Sequence, residues 1–186
     1  PWAVVVLPDQ RLLITERKGQ LKLFDPKTKK SLNVQGIPSV SYGGQGGLGD
    51  VVLHPDFKNN HWIYLSYAVQ GSGGYGAEIS RAKLDLSNPE QPKLTDLKRI
   101  WQQIPKVSGQ GHYAHRMLFG ADGKLWVSSG ERQKFDPAQD MKSNLGKILR
   151  LNEDGTPVSD NPFSQQGGVT AEIWSLGHRN PLGMAF

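Results

Sequence analysis

The chain has 186 residues, enough for one sizeable core or several small sheets stacked side by side. With no cysteine, disulfides and thiolate metal sites are excluded, and no apolar run approaches the roughly 20 residues of a membrane-spanning helix. The net charge of +5 is compatible with an anionic partner, but the Lys and Arg residues of the first thirty positions read rather as solvated turns and strand faces, and the aromatics are not interleaved with a basic stripe, so nucleic acid is not expected.

The 22 glycines and 37% apolar content suit an all-β protein with many turns. In chain order, Val5-Val6-Leu7-Pro8-Asp9 is an apolar strand closed by a turn with aspartate, followed by strands at 11–16 and 20–24. The same form returns at Val51-Val52-Leu53-His54-Pro55-Asp56, with strands at 61–68, 78–86 and 100–104 and a loop at 70–77. It returns again at Met117-Leu118-Phe119-Gly120-Ala121-Asp122, with strands at 124–129, 147–151 and 171–176 and loops at 131–144 and 152–169. A last apolar strand is expected at 183–186.

Long-period self-similarity of this kind indicates stacked repeats. Four antiparallel strands per unit, repeated around an axis, predict an all-β fold: a β-propeller of four-stranded blades. A β-sandwich also offers short strands with turn signals, and remains the alternative. The anchors Leu7, Leu53, Phe119 and Phe186 fall 46, 66 and 67 residues apart. Blades are accordingly expected at roughly 1–42, 43–108 and 109–177, with a fourth beginning at 178–186. A propeller must close to hide its edges, so three blades imply a piece of a larger protein. Pro1 is not an initiator methionine, and no leader can be identified as a signal peptide.

Three polar residues stand nearly the same distance ahead of these anchors. Eight residues separate Gln45 from Leu53, seven His112 from Phe119, and seven Arg179 from Phe186. If the strands are equivalent and line a channel, these side chains ring one end of it, as a polar small-molecule site requires. His112 is the candidate general base, since imidazole titrates nearest neutrality. Glu131, ending the strand beside it, can take a hydrogen bond from the ring and stabilise its protonated form. Arg179 can hold an oxyanion, and Pro181 restricts Asn180 to extended or turn conformations. Gly43-Gly-Gln-Gly-Gly47 allows close backbone approach but matches neither a dinucleotide fingerprint nor a phosphate loop. Asn152, Asp154 and Asp160 read as turn residues, and His54 and His61 as surface residues.

Several segments resemble the soluble glucose/sorbosone dehydrogenases: Gly43-Gly-Gln-Gly-Gly-Leu-Gly49 with Leu53-His-Pro-Asp-Phe57, His112 with Arg116, Phe119 to Leu125 through Gly130-Glu131, Gln139-Asp140, and Gly177-His-Arg-Asn-Pro181 with Gly183. The resemblance runs in order along the whole chain. It implies six-bladed, periplasmic or secreted enzymes that use pyrroloquinoline quinone (PQQ) and calcium to oxidise the C1 hydroxyl of aldoses to lactones, passing electrons to an external acceptor. It implies His112 as base, Glu131 as its partner, Arg179 and Asn180 as quinone contacts with Arg179 also near the reacting hydroxyl, and Gln45 as a substrate contact. No metal ligand is placed in this chain; the calcium ligands and the clamp on the cofactor carboxylates are expected downstream, so the piece alone should be inactive. Four departures stand out. Ala114 and His115 replace glycines and are expected to narrow the cleft or change substrate preference, Leu182 replaces a glutamine that binds the cofactor, and Gly111 replaces a substrate-contacting aspartate. The Gly111 change bears on glucose specificity, whereas the bulky Ala114, His115 and Leu182 favour the rival reading, a non-catalytic propeller that binds carbohydrate or a protein partner. A calcium-dependent lactone hydrolase would need converging carboxylates where Gln, His and Arg stand.

Overall fold

The computed structural model describes residues 1–186 and contains three four-stranded antiparallel sheets. The first holds β1 (Val4–Val6), β2 (Leu12–Glu16), β3 (Gln20–Phe24) and β4 (Ser31–Asn33) in sequence order. The second holds β5 (Leu48–Leu53), β6 (Trp62–Gly71), β7 (Gly74–Asp85) and β8 (Lys93–Gln102), with the short helix α1 (Phe57–Asn60) between its first two strands. The third holds β9 (Ala114–Phe119), β10 (Leu125–Ser129), β11 (Lys147–Leu151) and β12 (Ile173–Leu176). No helix is long and apolar enough to cross a membrane.

Burial follows the position of each sheet in the stack. In β2 alternate residues are fully buried, because only one face of the first sheet meets a neighbour. In β6 six consecutive residues, Ile63 to Ala68, are buried, because the second sheet is covered on both faces. Ile63, Leu65 and Tyr67 pack with Leu13, Leu21 and Leu23 of the first sheet, while Tyr64 and Ala68 pack with Met117, Val127 and Leu149 of the third. There are thus two cores, each a seam between successive sheets. The outward faces stay partly open, with Val4, Val6 and Trp174 exposed.

Several expectations change. The region 70–77 is a tight hairpin rather than a loop, since β6 and β7 pair out to Gly71 and Gly74. The first unit has a fourth strand, β4, and the second unit's fourth strand starts earlier, at Lys93. Residues 183–186 form no strand, because no backbone lies beside them to pair with. His54 is no surface residue: its Nε2 meets Glu153 at 2.8 Å and its ring stacks on Tyr64, bridging the second and third sheets.

The inner strands β5 and β9 carry the same irregularity. Leu48 and Val51 pair with Tyr67 and Leu65, and Ala114 and Met117 pair with Ser129 and Val127, so each inner strand holds one extra residue at the same place. Such bulges bend a strand and aim what precedes it. A buried hydroxyl closes each one. Ser66 accepts the amide of Asp50 (2.8 Å) and donates to the carbonyl of His115 (2.7 Å). Ser128 likewise accepts the amide of Arg116 (3.0 Å) and donates to the carbonyl of Pro181 (2.9 Å). Each hydroxyl therefore ties the bulge of its own sheet to the segment leading into the next.

Candidate functional site

The segments leading into β5 and β9, together with 177–182, come together at one end of the stack. Gln45 Oε1 accepts the backbone amide of His112 at 2.8 Å. The backbone carbonyl of Arg179 accepts the amide of Glu131 at 2.9 Å, and Asn180 Oδ1 accepts the amide of Ala114 at 2.9 Å. Hydrogen bonds thus join Gln45, His112, Glu131 and Arg179, while Asn180 holds the backbone two residues beyond His112.

Glycine makes this approach possible. A Cβ on Gly130 would lie 1.8 Å from the carbonyl oxygen of His112, so only glycine lets the two segments touch. Gly47, at φ +132°, brings the glycine loop against the carbonyl of Arg17, 2.0 Å from where a Cβ would stand. Arg17 in turn donates to the carbonyls of Gly44 and Gly46. Non-glycine residues also take left-handed conformations here: His112 (φ +49°), Ala114 (+54°), His115 (+49°), Arg132 (+60°) and Phe135 (+61°). Such strain persists only where surrounding contacts over-determine the backbone, and it concentrates at functional sites.

His112 and Glu131 form the chemical centre. Nδ1 of His112 is hydrogen-bonded to Oε1 of Glu131, whose side chain is 2% exposed. Glu131 also accepts the amides of Gln133 (3.0 Å) and Phe135 (2.6 Å). Burial works to raise its pKa, but His112 and the neighbouring amides outweigh that and hold the carboxyl below the ordinary glutamate range. A carboxylate receiving Nδ1–H leaves Nε2 as the lone-pair nitrogen, and Nε2 makes no hydrogen bond to the protein. The free nitrogen of His112 is not among the buried unpartnered atoms and so keeps some access to solvent.

The other candidates differ in how free they are. The Arg179 guanidinium is exposed and has neither ion pair nor hydrogen bond within the chain. Asn180 and Gln45 spend their amide oxygens on the backbone and keep their NH₂ groups. Leu182 is exposed, and its carbonyl accepts Nε of Arg116 at 3.0 Å. At Gly111 a Cβ would meet the Gln133 side chain at 2.3 Å, so Gln133 occupies the space beside this glycine.

His115 corrects an expectation. It does not narrow the cleft; it is 2% exposed, packed against Trp2 with ring centroids 5.2 Å apart and bonded to Ser66 at 2.9 Å. Burial, reinforced by Arg116, Arg132 and Arg17, pushes its pKa down from 6.5 to about 3. Beside it Asp50 pairs with Arg116 at 3.0 Å and accepts the amide of Met117 at 2.8 Å. Arg116 was legible only as part of a family motif, and neither its pairing with Asp50 nor Arg132 carried a sequence signal, because the partners are backbone groups and distant residues. A cavity of about 610 Å³ between Leu7, Phe57, Lys58 and Asp85 shares no residue with the site.

The glucose/sorbosone dehydrogenase family model matches residues 1–186. Aldose sugar dehydrogenase YliI of Escherichia coli is 41% identical over all of this chain and half of its own length. Quinoprotein glucose dehydrogenase B of Acinetobacter calcoaceticus is 31% identical over all of this chain and 43% of its own length. The PQQ-bound form of aldose sugar dehydrogenase from Streptomyces coelicolor superimposes with a TM-score of 0.84 at 32% identity, over 97% of this chain and 51% of that one. This chain thus spans about half the length of the relatives it matches, and across all of its residues it belongs to the glucose/sorbosone dehydrogenase family.

Proposed function

We propose that this chain is part of a PQQ-dependent aldose dehydrogenase, in which His112 takes the proton from the C1 hydroxyl as the sugar becomes a lactone. The observation that carries the reading is the His112–Glu131 pair with Nε2 unengaged. Glu131 holds the proton on Nδ1, so the lone pair is presented at Nε2. When Nε2 takes the hydroxyl proton the ring becomes imidazolium, and the buried carboxylate beside it stabilises that charge. The three sheets then read as three blades, roughly 1–42, 43–108 and 109–177, of a six-bladed propeller, with 178–186 leading into a fourth. The exposed outer faces of the first and third sheets fit that arrangement.

The residues present fit the quinone. Arg179 offers an unpaired cation and Asn180 a free amide donor, the groups an anionic planar quinone requires; the Arg179 carbonyl is hydrogen-bonded to the amide of Glu131, and Asn180 to the amide of Ala114, two residues beyond His112. When bound, pyrroloquinoline quinone would accept the two electrons and the hydrogen leaving sugar C1. Arg179 would also face the negative charge developing on the C1 oxygen. The NH₂ group of Gln45 is placed to donate to a sugar hydroxyl. The calcium ligands, like the clamp on the cofactor carboxylates, belong in this reading to the part of the protein beyond these residues. The half alone should be inactive, and the whole protein periplasmic or secreted.

The burial of His115 removes one support for a non-catalytic propeller, since it adds no bulk to the cleft. The test is reconstitution of the full-length protein with PQQ and calcium, assayed with aldoses and a dye acceptor. Wild type should turn over, and His112→Ala should lose about 10²- to 10⁴-fold in kcat. An inert wild type, or a variant as active as wild type, refutes the proposal.

A further inference from the structure

Arg132 is the largest side chain fully withdrawn from solvent, yet no carboxylate pairs with it. Its guanidinium donates instead to three backbone carbonyls: Nε to Gly111 at 2.8 Å, Nη2 to Gly109 at 2.6 Å, and Nη1 to Tyr75. The ring of Tyr113 lies 3.8 Å from Cζ. A planar fork of donors suits three fixed acceptors in a way a single ammonium cannot.

What the fork holds is the segment that delivers His112. Gly109, Gln110 and Gly111 belong to no strand. The carbonyl of Gln110 accepts the amide of Gln45 at 2.8 Å, and the two flanking carbonyls go to Arg132. The backbone amide of Arg132 also donates to the carbonyl of His112 at 3.3 Å. Since Arg132 directly follows Glu131, its backbone belongs to the carboxylate's segment while its side chain grips the histidine's. Both segments hold left-handed, non-glycine backbone, at His112 and at Arg132, Gln133 and Phe135, which relaxes unless contacts enforce it.

We propose that Arg132 is a positioning residue that sets the separation and orientation of His112 against Glu131. It touches neither reacting atom. The predicted effect on rate rests on the dehydrogenase reading above, whereas the predicted effect on the hydrogen bond does not.

The test uses the full-length protein. A histidine Nδ1 proton shared with a carboxylate gives a far-downfield proton resonance, observable without quinone or sugar and assigned by its loss in His112→Gln. Arg132→Lys should remain folded, shift or broaden that resonance, and lower kcat about 10- to 100-fold with KM for aldose within about twofold. Arg132→Met should abolish the resonance. Arg150→Met is the control: it breaks pairs with Asp122 and Asp160 elsewhere in the third sheet, and should lower the melting temperature while leaving the resonance intact. If Arg132→Lys keeps both the resonance and the rate of wild type, the proposal is overturned. It is also overturned if Arg132→Met, folded and destabilised no more than the control, keeps the resonance. Should Arg132→Met fail to fold, Arg132→Lys decides alone. If wild type oxidises no aldose, the dehydrogenase reading fails and the resonance still tests the positioning role.

Discussion

Replacing Ser66 by alanine removes one oxygen and unties two sheets. Ser66 is fully buried and its hydroxyl is saturated: it accepts from Asp50 N at 2.8 Å and from His115 Nδ1 at 2.9 Å, and donates to His115 O at 2.7 Å. The neutral His115 ring can move its proton to Nε2, so two groups bear the loss, the Asp50 amide and the His115 carbonyl. Each unsatisfied buried polar group costs about 1–3 kcal/mol, giving a destabilisation of about 2–6 kcal/mol. The vacated space is smaller than a water molecule, so solvent does not repair it. With a urea m-value of about 2–3 kcal/mol/M, the unfolding midpoint should fall by about 1–2 M, and hydrogen exchange of the Asp50 amide should accelerate. Ser87→Ala, at an exposed turn, should stay within about 0.5 kcal/mol of wild type. A Ser66→Ala loss below about 0.7 kcal/mol, with Asp50 exchange unchanged, would show that the hydroxyl does not join the sheets.

His115 should make the fold acid-sensitive. Its folded pKa of about 3 lies below the unfolded 6.5, so the unfolded chain binds the extra proton between those values and stability falls as pH drops from about 6.5 to about 3. At about 1.4 kcal/mol per unit the loss approaches 5 kcal/mol, partly offset by Asp50, whose burial raises its pKa and which gains stability on protonation. His115→Phe should flatten the urea midpoint against pH across this range; an equally steep profile refutes the assignment. The two cores should behave independently. Leu13→Ala and Leu149→Ala, one in each, should cost about 2–5 kcal/mol apiece, and the double variant should equal their sum within about 0.5 kcal/mol. Coupling above about 1 kcal/mol in denaturant unfolding would mean a single continuous core.

Taken alone, the sequence determined the strand pattern and its repetition, because period-two apolar patterning and turn residues are local properties of the chain. Thus 20–24 and 147–151 emerge as β3 and β11 with the bounds read from the chain. The common lead-in of Gln45 and His112 was also legible, as a count of residues. What escaped was everything set by partners remote in sequence. The extension of β6 and β7 into one long hairpin depends on cross-strand pairing that overrides the glycines at 71–76. The paired bulges depend on hydroxyls 16 and 12 residues away. His115 read as bulk in a cleft until Ser66 and Trp2 were seen to draw it inward. Arg132 was silent because its partners are carbonyls, which every residue possesses. Tertiary structure decided which nitrogen of His112 is free: burial of Glu131 against backbone amides keeps the carboxylate charged and fixed, and that choice depends on burial, which residue spacing alone does not specify.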